Sequence, residues 1–466
     1  MNISIKRSRA GFLLIYALLG AVFSYSWLDI PDIYFWNYGI LLLAYFIDGG
    51  ITFFLWSNEK IKFFDPFTII SFLYMMIFVI YPLSDYIQLN VYKSGVDTSS
   101  GCIKGTVIFI ISYILFCTGY SFATVKDRGH HFFKRIERLN SNEMTCIAFA
   151  CWFIGFVGAM AGQMSRGFSW NFILSMGATG QDDILVNSSS GGLLFLLMLI
   201  PTMIVSEVMI LNYSKNPFLK IITFVITFVF LFMRGGRMLM IDLVAAPVIL
   251  RYLKMKKSPS IRTVCIAFAA AIALFAVLQV ARIDVSQGQD FRKDLAENIF
   301  SMDTYISVFD SDFSTYKVYY GIVNAFPDQY DFLYGRGMLG YTFALIVPRV
   351  LWPDKPDAPE REVVYDAMGQ EAMDNGNAYP NVGIFYSEFG LFGTLILMFI
   401  YGIVMSKARK LYKIQSEPAL ILYACLWSFC FQLATRSFSN AVYTLLFGFL
   451  PIFICWMLSS DRRKDM

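Results

Sequence analysis

Apolar residues in this chain cluster in long runs and do not alternate at a strand's period of two. The runs fall near 10–28, 36–56, 66–87, 105–124, 144–164, 191–212, 217–233, 237–253, 262–281, 383–405, 418–435 and 439–459. A helix needs about 20 such residues to cross the hydrocarbon core of a bilayer. The pattern predicts an all-α polytopic membrane protein with about twelve transmembrane helices, in a range of 11–14. The tightest pair flanks Arg234-Gly-Gly-Arg237. A shorter run over 338–351 contains Pro348 and Arg349 and is too short to span, so it reads as a re-entrant or interfacial segment. Three parts follow: a nine-helix bundle over 1–281, a large external loop over 282–382, and three helices over 383–466. Within the loop, 303–312 and 360–370 read as short helices on the membrane face.

Composition sharpens this class. The chain is 57% hydrophobic and 15% charged, against roughly 45–50% and about 25% for a soluble domain. That excludes a soluble enzyme, a disordered chain and a disulfide scaffold. Seven of the eight cysteines lie in apolar stretches and Cys102 in a loop, so no disulfide framework is implied. His130 and His131 are the only two histidines. A zinc site needs about four ligands, usually Cys and His, so neither metal nor cofactor is expected.

The distribution of charge sets sidedness. Segments 1–9, 57–65, 125–143, 213–220, 251–262, 406–418 and 460–466 hold 24 of the 38 lysines and arginines. The intervening loops hold 14, eight of them in the long loop, where charge affects orientation little. Both termini are therefore expected in the cytoplasm and the long loop outside. The first span has a basic leader and no small-residue cleavage site, so it reads as a signal-anchor.

Against that bias, several cations sit at the outer boundary. Arg234 and Arg237 lie in a Gly-Gly turn, Arg282 ends the ninth run, and Arg436 is in the last short turn. Arg349 and Lys355 flank Leu351-Trp-Pro-Asp-Lys-Pro356. One such arginine is as readily explained by snorkelling to headgroups. Several on one face suggest a shared anion site, because the planar guanidinium pairs bidentately with phosphate oxygens. A membrane-borne diphosphate is the natural ligand at that depth.

Acidic residues are the second signal. Asp242 and Asp48 fall inside spans, where a carboxylate needs a partner or a cavity. Asp242 is about one turn from Arg237 and is a candidate to orient it, with a buried ion pair as the plainer reading. Glu207 is expected to snorkel to the inner face. Glu388 enters a span from the outer side, so a general base and a simple partner for an arginine both remain open. Asp29 and Asp32, in the first outer loop, are alternative bases. Asp182, Asp183, Asp310 and Asp312 read as solvated loop acids, Gly158 and Gly162 as helix packing, and Asn187-Ser-Ser189 as a chance sequon.

Taken together, Arg234-Gly-Gly-Arg237, Val347-Pro-Arg-Val-Leu-Trp-Pro-Asp-Lys-Pro356, Tyr379-Pro-Asn-Val-Gly383, Glu388-Phe-Gly390 and Arg436 resemble features of the Wzy-type polymerases of O-antigen and related repeat units. The layout resembles theirs throughout; the sequence does so over about 234–242 and 335–393. O-antigen ligases share the layout but carry a catalytic histidine in the large loop, which this chain lacks. The resemblance implies a metal-independent glycosyltransferase at the outer face of the bacterial inner membrane. Its donor and acceptor would be oligosaccharides on undecaprenyl diphosphate. Membrane lipids and, optionally, a chain-length regulator would be its other partners, and nucleic acid would not. Arg237 and Arg282 would stabilise the departing diphosphate, supported by Arg234, Arg436, Arg349 and Lys355, with Asp242 as support and Glu388 as base. The loop's tyrosines would present flat faces to sugar rings. Rival readings are a ligase-like or other polyprenyl-phosphate glycosyltransferase, and a polysaccharide flippase or transporter.

Overall fold

The computed structural model describes residues 2–58, 62–122, 130–164, 194–233, 237–286, 301, 304–305, 310, 313–347, 351–352, 354, 359–374, 378–436 and 438–459. All twelve expected spans are helical over their described residues. Eight are long and apolar enough to cross a membrane: Asp32–Ser57, Pro66–Ile87, Ser99–Phe122, Ser141–Met164, Leu196–Tyr213, Asn381–Ile414, Glu417–Thr435 and Phe438–Leu458. Leu13–Asp29, Pro217–Phe232 and Arg262–Val277 are shorter apolar stretches. Arg237–Met255 is a helix of 19 residues. The protein is an all-α polytopic membrane protein.

Local chemistry sets several helix ends. Asn140 and Glu143 cap Ser141–Met164 reciprocally, each side chain accepting the other's backbone N–H at 2.9 Å. The Asn216 side chain accepts from the N–H of Phe218 at 3.0 Å. Pro66 and Pro418 open their helices, where a missing N–H costs nothing.

The helices pack into two cores. The first joins Asn2–Ser26, Phe35–Ser57, Pro66–Ile87 and Cys102–Phe122 to Asn381–Ile414 and to helices of the external loop. The second joins Ser141–Met164, Ile200–Tyr213, Pro217–Met233, Arg237–Met255, Glu417–Thr435 and Phe438–Leu458. Glu417–Thr435 is the shared wall: Ala424, Cys425 and Phe429 face the second core, and Cys430, Leu433 and Ala434 the first. The last three helices divide between the two bundles.

The external loop is docked, not free. Helix Thr315–Ala325 is buried along nearly its whole length. Lys317 pairs with Asp85 at 2.9 Å, both almost inaccessible, and Tyr316 donates to the same carboxylate at 2.6 Å. Tyr319 donates to the Gly105 carbonyl at 2.9 Å, and the Tyr320 hydroxyl is 3.0 Å from that of Thr106. Burial pushes the Tyr316 phenol well above its ordinary range, and Asp85 adds to it. The tyrosines expected to face sugars thus include three that are core. Tyr330, Tyr334 and Tyr365 are the exposed ones among the described residues.

Helix Asn381–Ile414 is broken at Gly390, whose φ of 64° and ψ of −161° suit only glycine. Gly119 and Gly402 let the long arm approach Cys102–Phe122 so closely that a Cβ on either would sit 2.1 or 2.2 Å from the other helix's carbonyl oxygen. Continued straight from Phe399, the helix would carry Asn381 about 27 Å outward, to the outer end of Cys102–Phe122. Instead Asn381 accepts from Tyr74 at 2.7 Å. The Tyr74 ring packs on Phe109, Tyr113 and Phe116, midway along that neighbour. The short arm 381–389 therefore re-enters the bundle.

Candidate functional site

Two hydrogen-bonded contacts assemble one rim of the second bundle, the rim expected to lie outside. Asp242 is buried and accepts from the Gln432 amide, tying Arg237–Met255 to Glu417–Thr435. At the opposite ends of these helices Lys254 pairs with Glu417 at 2.5 Å, so the two run antiparallel. Arg237 opens its helix and Arg436 closes the other. With a rise of 1.5 Å per residue, their backbones lie about 7.5 and about 6 Å above the Asp242–Gln432 bond. Two cations read separately from the sequence thus share one level. Arg436 is half-buried, and its N–H donates to the Gln432 carbonyl at 3.0 Å. Helix Ile261–Ser286 runs back outward, bringing the Arg282 backbone about 30 Å from its start, a length matching Arg237–Met255.

The second contact docks the loop onto this rim. Over 336–346 the chain forms a π-turn and a short helix, a local winding that the expectation of an interfacial segment left open. The Thr342 and Ser439 hydroxyls are 2.9 Å apart, and Tyr443 donates to the Thr342 carbonyl. Both partners belong to the first turns of Phe438–Leu458, just beyond Arg436. Leu339 and Phe343 remain exposed. Arg349 and Lys355, a few residues on, lie outside the described residues, as do Arg234, Asp182, Asp183, Asp312 and Asn187. Of Arg237 and Arg282 the backbone is described and the side chain is not.

Glu388, the candidate general base, is held by backbone amides. Its carboxylate is buried and accepts the N–H of Gly335 at 2.7 Å and of Met338 at 2.8 Å, one on each oxygen. A Cβ on Gly337 would sit 2.2 Å from Oε1, and Gly335 has a φ of 91°. The backbone of the turn is closed around the carboxylate. The freed carbonyls of Ser387 and Glu388, next to the break at Gly390, accept from Leu333 and Tyr334 at 3.0 and 2.8 Å. Glu388 thus holds the turn that leads to the rim, each carboxylate oxygen accepting one backbone N–H.

Other expectations change similarly. Glu207 does not snorkel: it is fully buried and accepts from Thr223 at 3.1 Å. Asp310 is not simply solvated, since Tyr81 donates to it at 3.1 Å. Asp29 and Asp32 are exposed. Among the described residues no cluster of three or more His, Cys, Asp or Glu could hold a metal ion. Sequence reasoning missed Gln432, whose signal was a lone amide in an apolar run four residues before Arg436. It also passed over Asp85, an acid inside a span whose partner Lys317 is 232 positions away.

A family model for a domain of unknown function, DUF8712, matches residues 200–462. That stretch takes in most of the second bundle, the external loop and every cation of the rim. No curated protein and no solved structure matches the chain. Because the matched stretch is more than half of the 466 residues, the chain belongs to the DUF8712 family.

Proposed function

We propose that this membrane protein polymerises lipid-linked oligosaccharide repeat units at the outer face of the bacterial inner membrane. The observation that carries the reading is the Asp242–Gln432 bond, which sets Arg237 and Arg436 at one level on adjacent helices. In this reading the acceptor sugar hydroxyl attacks the anomeric carbon of the donor. The bond to the undecaprenyl diphosphate breaks with its electron pair passing to the phosphate oxygen, so the configuration inverts. Guanidinium groups at the rim stabilise that developing charge, the largest single contribution such a site makes. The donor and acceptor lipids reach the rim from the outer leaflet beside the exposed Leu339 and Phe343. Since Glu388 is occupied by backbone, the departing diphosphate itself takes up the hydroxyl proton.

Complementation of a polymerase-deficient strain, read as a glycan ladder on a gel, tests the proposal. Restored long chains are expected. Single-unit glycans alone, with the protein at normal level in the membrane, would sink it. One observation favours the transporter alternative: broken helices with re-entrant arms are common where substrates cross a membrane. A transporter would restore surface delivery of single units in a flippase-deficient strain, which the polymerase reading does not expect.

A further inference from the structure

We propose that Asp48 is a proton-exchange site in the membrane interior of the first bundle, separate from the rim and its chemistry. Asp48 is buried in the middle of Phe35–Ser57. One carboxyl oxygen accepts from Thr52 at 3.4 Å; the other, Oδ2, is buried with no hydrogen-bond partner. Thr52 is itself held, its hydroxyl 3.0 Å from that of Tyr113, which donates to Ser71 at 2.9 Å. Three helices thus orient one face of the carboxyl and leave the other open to a proton. The titratable groups facing Asp48 are Tyr16 of the first helix, and Tyr113 and Cys117 of Cys102–Phe122. The facing residue of Pro66–Met75 in this string is the uncharged Ser71.

A cleft of about 480 Å³ lies beside Asp48, between Phe35–Ser57 and Cys102–Phe122, lined by Gly50, Phe54, Cys117, Thr118 and Ser121 among others. Its lining begins at Gly50, two residues along the helix from Asp48, and includes the Thr118 and Ser121 hydroxyls. A carboxyl at such depth is costly unless it has a partner or a task. The oxygens in this string number too few for a sodium ion, and a proton needs only the one that is free. The exchange is a simple transfer: hydronium at the cleft gives its proton to the carboxylate and leaves as water, and the reverse releases it.

The test is labelling of the full-length protein in lipid nanodiscs with a hydrophobic carbodiimide, which adds across the protonated carboxyl. Peptide mass spectrometry reads occupancy at Asp48 from pH 5 to pH 9. The expected result is an adduct at Asp48 whose rate falls about tenfold per pH unit above a single midpoint. Thr52→Val, which keeps shape and removes the donor, moves that midpoint, whereas Ser112→Ala leaves it in place. Asp48→Asn, folded by size-exclusion elution, loses the adduct. Absence of labelling in the native protein overturns the proposal. So does a rate flat across the range, which marks a permanently protonated structural carboxyl. Protection by sodium at constant pH overturns it in favour of a cation site.

Discussion

The two bundles use their polar residues in opposite ways. In the first, polar groups at the outer end are consumed internally: Asp85, Lys317, Tyr316, Tyr319 and Tyr320 join the loop helix to the spans. In the second, the bond between Asp242 and Gln432 lies below the two arginines and positions their helix ends. The same residue types thus serve packing in one bundle and display in the other. Polarity at a membrane boundary is therefore not itself a sign of a site.

The largest expected effect tests the packing side. Lys317→Met leaves Asp85 buried without its cation, a loss of about 3–5 kcal/mol for a broken buried pair. Protease sensitivity of the external loop should rise, together with a lower melting temperature in detergent. Unchanged stability would mean that the loop is not anchored through this pair.

Next comes the display side. Arg237→Ala should reduce long-chain glycan about 10²–10³-fold, the usual consequence of removing one group that stabilises transition-state charge. Melting temperature should stay near that of the parent. Arg237→Lys should also be impaired if bidentate pairing matters. A normal ladder from Arg237→Ala would remove the rim from the proposed mechanism.

Glu388 lies between the two cases and separates base from clamp. Glu388→Gln sets an amide N–H₂ against a backbone N–H, a cost of about 1–3 kcal/mol. A clamp predicts a measurable drop in melting temperature along with lower activity. A stable, fully folded and inactive Glu388→Gln protein would restore the base.

The smallest effect is at Arg336, whose pair with Glu362 at 3.0 Å is largely exposed, at 61% and 56%. Arg336→Ala should cost less than about 1 kcal/mol and leave the ladder unchanged. A large loss there would extend the functional surface beyond the rim.

Much of this fold was legible in the sequence because a bilayer imposes a local rule. Helix length is set by hydrocarbon thickness, so the apolar runs marked every span within a few residues. Arg237, Arg282 and Arg436 were visible for the same reason, as cations at the ends of apolar runs. Their grouping was not visible, because it depends on Gln432 meeting Asp242 across 190 positions. Glu388 was noticed without its partners, which are backbone amides around position 335, and backbone groups carry no sequence signal.

The sequence by itself determined the class and where the apolar helices lie. These follow from transfer free energies of single residues and from the spacing of apolar runs, neither of which needs a partner. Only the tertiary structure decided the division into two bundles, the re-entrant arm folded at Gly390, the burial of Tyr316, Tyr319 and Tyr320, and the backbone partners of Glu388. Each depends on which distant group satisfies a buried polar atom. In a medium without water that choice is settled by packing alone.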